Sequence, residues 1–152
     1  MTMKKSILAM AALAFMAWGC SPTDDREPVS PPVEIPAGSD ERPAWSAPNY
    51  DLYADWMNIE VLLQDTLARY ASAQDLLCAT IHNEVRGVAS AQLIDGQWLF
   101  SLTVGSNDAH LMVTLSYYCE RLHRIFTIDW IPFNASLAPT GTDGLYKPPF
   151  VQ

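Results

Sequence analysis

Positive charge is scarce in this chain. Nine Lys and Arg stand against 17 Asp and Glu in 152 residues, a formal charge of −8. Removing 1–19 would take Lys4 and Lys5 but no acid, leaving −10 (−8 − 2). Such a chain repels phosphate backbones, which excludes nucleic acid as a partner. Cysteine and histidine are also few, three of each, with no CxxC and no His-x-x-x-His spacing, so no metal and no cofactor are expected. The chain lacks a phosphate-binding Gly loop and a Gly-x-Ser-x-Gly elbow. No catalytic residue is assigned, and the chain does not read as an enzyme. It also lacks an apolar run of the roughly 20 residues that a membrane-spanning helix needs.

What is present begins at the N-terminus. A basic opening at Lys4 and Lys5 precedes an apolar run from Ile7 to Trp18, which is the pattern of a secretion signal over 1–19. The string FMAWGCS resembles the lipobox of bacterial lipoproteins, in which a Cys is acylated and becomes the new N-terminus. Gly19 and Cys20 match it, whereas Ala17 stands where Leu is usual and Trp18 is bulkier than the small residue expected. The resemblance implies lipidation of Cys20 with palmitate and a membrane anchor. Ser21, rather than Asp, after the Cys implies outer-membrane delivery with the domain in the periplasm. Ala17 and Gly19 also satisfy the small-x-small rule of ordinary signal cleavage, which stands as the alternative. Cysteine parity bears on the choice: acylating Cys20 leaves Cys78 and Cys119 to pair as a disulfide in an oxidising compartment. That bond would stabilise a small domain by about 4 kcal/mol in the chain-entropy model.

Residues 20–48 hold the acylated Cys followed by a stretch rich in Pro, Asp, Glu and Ser, too poor in apolar residues to fold, and read as a tether. The folded domain is expected over 49–131. Leu52, Trp56, Ile59, Leu63, Leu67 and Tyr70 recur at three- and four-residue spacing, which predicts an amphipathic helix over 50–71 with Asn49 as N-cap. Leu76–Ile81 fits either a short strand or more helix. Over 88–131 apolar and polar residues alternate through four segments, which predicts an antiparallel meander. Turns at Asp95-Gly96, around Gly105 to Asp108, and near Glu120-Arg121 place Leu93 opposite Trp98, Phe100 opposite Val113, and Leu111 opposite Trp130, all on one apolar face. The expected class is therefore α+β, one N-terminal helix packed on a four- to five-stranded antiparallel meander. In outline this resembles cystatin-like or NTF2-like folds. Residues 132–152, rich in Pro and Gly, read as an extended tail.

The second face of the expected meander carries almost no charge. Leu99, Ser101, Thr103, Met112, Thr114, Ser116, Tyr118, Ile125 and Thr127 lie on it, an uncharged, hydroxyl-rich and partly apolar surface of the kind that a protein partner, or the chain's own segments, would cover. The acidic balance suits a basic partner. The sequence thus points to an envelope-anchored lipoprotein with a small protein-binding domain, an assembly accessory or an inhibitor or immunity protein. Two other classes stay open. One is a small-ligand carrier with a pocket between helix and sheet lined by Trp56, Trp98 and Trp130. The other is a hydrolase in which Thr103, His110 and Asp129 act together.

Overall fold

The computed structural model describes residues 33–141 and 143–149. These belong to the unit Pro32–Gln152; the unit Met1–Pro31, where the signal peptide, the acylated Cys20 and the first part of the tether are expected, lies outside them. The described chain forms two antiparallel sheets, not a helix on a meander. In chain order the elements are a 3-10 turn Tyr50–Leu52, β1 Asp55–Leu62, α1 Asp65–Ala68, β2 Leu76–Ile81, β3 Glu84–Ser90, β4 Gln92–Ile94, β5 Gln97–Ser106, β6 Met112–Cys119 and β7 Arg124–Pro132. One sheet has the order β1-β5-β4 and the other β3-β2-β6-β7.

The expected helix over 50–71 is overturned by period-two burial. Met57, Ile59 and Val61 point inward and are buried, while Trp56, Asn58 and Glu60 between them are exposed. Ile59 and Leu63 satisfy the helical and the strand spacing equally, so the sequence alone does not separate the two. Tertiary pairing does: β5 takes all eight residues of β1, from Asp55 opposite Ser106 to Leu62 opposite Leu99. Leu52, assigned to the helix's core face, is 68% exposed. Only the 3-10 turn, where the Asn49 side chain accepts from the Asp51 N–H, and the single turn of α1 remain helical.

The cystatin-like or NTF2-like outline fails with the helix, and the strand order differs from a meander as well. The Asp95-Gly96 turn sets Leu93 opposite Trp98 as expected, both turn residues having positive φ. Beyond Gly105, however, the chain crosses to the second sheet, so β5 pairs with β1 while β6 lies between β2 and β7. A second tight hairpin, at His82-Asn83 with φ of 50° and 64°, joins β2 to β3. Strand β3 runs into β4 through Ala91 alone, and this one bent segment serves both sheets. At the seam a Cβ on Gly87 would stand 2.0 Å from the Thr103 carbonyl oxygen, so only glycine permits the approach.

The inward faces of both sheets share one core, built on Ile59, Phe100 and Leu102 from the first sheet and Leu77, Leu115 and Tyr117 from the second. A bulge in the β6–β7 ladder changes its phase. Phe126 and Ile128 are buried before it and Ile131 and Phe133 after it. Trp130 is thereby turned outward opposite Thr114, not inward opposite Leu111 as expected.

Two irregular segments complete the domain. Residues 33–48, assigned to the tether, pack on the domain, from the end of α1, where the Tyr70 hydroxyl oxygen accepts from the Ile35 N–H, past the β6–β7 turn to the outer side of the second sheet. Gly38 N–H donates to the Leu122 carbonyl at 2.7 Å and Asp40 N–H to the His123 carbonyl at 2.8 Å. The Arg42 guanidinium lies 5.8 Å from the Tyr118 ring centre and pairs with Glu120 at 3.0 Å. This strap continues to the first sheet, where Tyr50 O–H donates to the Thr103 carbonyl and the Tyr53 ring fills the space over Gly105. In the C-terminal tail Tyr146 bridges Val61 in parallel. Its main chain bonds the Glu60 carbonyl and the Leu62 N–H, and its hydroxyl donates to Asp129. The tail thus ties the edge of β1 to β7.

The expected Cys78–Cys119 bond is not formed. Both thiols are free and buried. Cys78 stands opposite Ser116, three residues short of Cys119 and on the other side of the sheet, because side chains alternate along β6. Cysteines so placed cannot be bridged without moving the backbone.

Candidate functional site

Among the described residues Asp75, Tyr117 and Cys119 form a compact group of titratable side chains, all buried. Asp75 ends the loop after α1. Its carboxylate accepts four hydrogen bonds: from Tyr117 O–H at 2.5 Å, from Ser72 O–H at 2.7 Å and N–H at 3.0 Å, and from Glu120 N–H at 3.1 Å. Burial pushes the Tyr117 hydroxyl well above its ordinary value, with the Asp75 carboxylate adding to the effect, and burial likewise raises the Cys119 thiol. Every lone-pair direction of the carboxylate is used, and the group has no opening to solvent. It pins the α1 loop to β6 and does not form a reaction centre.

The three groups of the hydrolase reading fall in separate places. Thr103 donates its hydroxyl to Asn58 at 2.8 Å on β1. His110 sits in the exposed β5–β6 loop at φ 64°. Asp129 accepts from Tyr146. Nor do the three tryptophans of the carrier reading meet. Trp56 is on the outer face of the first sheet, Trp98 packs against the core, and Trp130 is on the outer face of the second. Among the described residues no group of three His, Cys, Asp or Glu is arranged to hold a metal ion.

The nine residues expected to share one face are split by the crossover after β5. Leu99, Ser101 and Thr103 belong to the first sheet, and the other six to the second. Tyr118 lies under Arg42 of the strap and is 1% exposed. What remains open is a strip along the outer face of the β6–β7 ribbon: Ile125, Ser116 beside Thr127, Thr114 beside Trp130, and Met112 beside Pro132. Met112 is 54% and Trp130 50% exposed, large values for such side chains, and no member carries a charge. Trp130 was missed from sequence because the bulge that turns it outward has no glycine or proline to announce it.

The free edge of β7 is blunted against strand addition at three positions. The Asp40 carboxylate takes the Ile125 N–H at 2.8 Å, the Asp129 carboxylate takes the Trp130 N–H at 2.7 Å, and Pro132 has no N–H to offer. Acids stand around the strip: Asp40 and Glu120 near Ile125, Asp129 at the edge, and Asp108 in the loop before Met112. Fold and surface together define a class, a two-sheet β domain with an uncharged, aromatic-bearing ribbon face in an acidic surround. No protein-family model, no curated protein and no solved structure matches this chain.

Proposed function

We propose that this chain is an envelope protein, anchored at the outer membrane through Cys20, whose β domain docks a basic protein on the outer face of the β6–β7 ribbon. One observation carries the reading. In a chain of net charge −8, no side chain of the strip itself is charged, the Asp129 carboxylate at its edge is engaged by Tyr146, and Trp130 and Met112 stand half in solvent. Exposed Trp and Met ringed by polar groups are the composition of an interaction centre, and a surrounding field of acids steers a cationic partner onto it. Such a module serves as an assembly accessory or as an inhibitor of an envelope-acting protein; the partner's identity separates the two. The carrier reading loses its support with the helix that would have walled its pocket.

The test is crosslinking and capture from the native envelope, followed by titration of the purified partner, with wild type compared against Trp130→Glu. A central Trp is worth about 2–4 kcal/mol at an interface, so affinity is expected to fall at least about 30-fold while the circular dichroism spectrum and melting curve are unchanged. Equal affinity of the two forms would remove the ribbon as the docking face. Cys20→Ser is expected to move the protein from the membrane pellet to the soluble fraction, and retention in the pellet would count against the anchor.

A further inference from the structure

The outer face of the first sheet is built differently from the β6–β7 ribbon. Trp56 on β1 is 46% exposed, and its indole N–H donates to the Tyr50 carbonyl, so the ring is held in place although its face meets solvent. Two and four residues on, Asn58 and Glu60 point to the same side. Each is fixed from β5: Thr103 O–H donates to Asn58 Oδ1 and Ser101 O–H to Glu60 Oε2, both at 2.8 Å. Those bonds use the amide oxygen of one residue and one carboxylate oxygen of the other. They leave Asn58 Nδ2 as a donor and Glu60 Oε1 as an acceptor, both without a protein partner among the described residues.

We propose that this face binds a neutral glycan, a chain of hexopyranose units either plain or N-acetylated. A sugar ring presents an apolar face of C–H groups that lies on an indole, and hydroxyls that both donate and accept. Trp56 supplies the first surface, and the uncommitted donor and acceptor at Asn58 and Glu60 match the second. Same-face residues on a strand recur about every 6.7 Å, so the three side chains cover about 13 Å, the length of two to three sugar units. Glu60 is the one formal charge among these groups, and among the described residues no cation forms an ion pair with it, which disfavours an anionic ligand such as a phosphate or a uronic acid chain. Because Thr103, Ser101 and Tyr50 fix the contact groups beforehand, little ordering cost remains for the ligand to meet. The site is on the sheet opposite the ribbon and does not depend on protein docking there.

Calorimetric titration of the purified domain with cellohexaose and with chitohexaose tests the proposal and distinguishes the plain from the N-acetylated ligand. Wild type is expected to bind at least one of them at submillimolar to millimolar concentration. Trp56→Ala is expected to weaken that binding at least about tenfold, Asn58→Ala several-fold and Trp130→Ala not at all. Amide spectra of each variant establish that the fold is intact; should Trp56→Ala misfold, Glu60→Gln, which keeps size and removes the acceptor's charge, provides the same readout. Absence of binding to both oligomers by wild type overturns the proposal, as does undiminished binding by folded Trp56→Ala and Asn58→Ala, or equal loss in Trp130→Ala.

Discussion

Asp75→Ala is expected to destabilise the domain by about 3–5 kcal/mol, a large fraction of the 5–15 kcal/mol that separates folded from unfolded states. The substitution removes the acceptor of four hydrogen bonds at once, leaving the buried Tyr117 hydroxyl and, half-buried beside it, the Ser72 hydroxyl and two backbone N–H groups without their partner. Urea denaturation should show a lower midpoint at unchanged slope. Asp75→Asn keeps one oxygen but turns an N–H toward groups that are themselves donors, so it should lose roughly half as much. Tyr117→Phe removes a single donor and should cost only about 1–2 kcal/mol. A loss below about 1 kcal/mol in Asp75→Ala would mean that the α1 loop is held by something else. The same cluster gives an alkaline limb. Burial raises the Tyr117 hydroxyl above its ordinary value of 10.0, so above that pH the unfolded chain releases a proton that the folded chain keeps. Stability contributed by the neutral phenol is complete below pH 10 and declines as pH rises further, and Tyr117→Phe should flatten that decline.

Phe100→Ala should cost about 3–5 kcal/mol by opening a cavity where the two sheets meet. Phe100, on β5, is fully buried and meets the Tyr117 ring of β6 edge-on at 5.9 Å, and Tyr117 in turn stacks on Phe126 of β7 at 6.2 Å. This aromatic row joins one sheet to the other across the core, so its loss affects their packing and not one strand alone. Phe100→Leu, which keeps most of the volume, should recover more than half of the stability. Thermal melts of the two variants check the order; equal melting temperatures for Phe100→Ala and wild type would show that the sheets are held together elsewhere.

The sequence made individual strands legible better than their arrangement. Alternation marks β5, β6 and β7, and the burial of Phe100, Leu102, Val113, Leu115, Phe126 and Ile128 follows it. Asp95-Gly96 sets its own hairpin register because a two-residue turn with positive φ leaves little freedom. Nothing local in Gly105, Ser106, Asn107 and Asp108 states whether the chain folds back on itself or crosses to another sheet. That is decided by β1, whose residues satisfy both the helical and the strand periodicity and take the second. Once β1 is read as a helix, β5 is left to pair with β6, and the shared face and the helix-walled pocket follow from that; the disulfide rests instead on cysteine parity, which carries no information about which side of the sheet each thiol faces. The candidate surface survived in part because Met112, Thr114, Ser116, Ile125 and Thr127 lie on one ribbon. Trp130 entered it only through the bulge, and the cover over Tyr118 comes from residues whose composition resembles a linker.

The strap also sets an order of events. Asp40 meets Ile125 across 85 residues of chain and Arg124 meets Pro36 across 88. During synthesis the strap emerges first, yet the surface it binds does not exist until β6 and β7 have paired. Contacts so distant in sequence are slow to form, on the millisecond to second scale typical of nonlocal β topologies. Until then Tyr118 lacks its cover, so the interval between emergence of the last strand and docking of the first segment is when the nascent protein is most open to aggregation or capture by a chaperone.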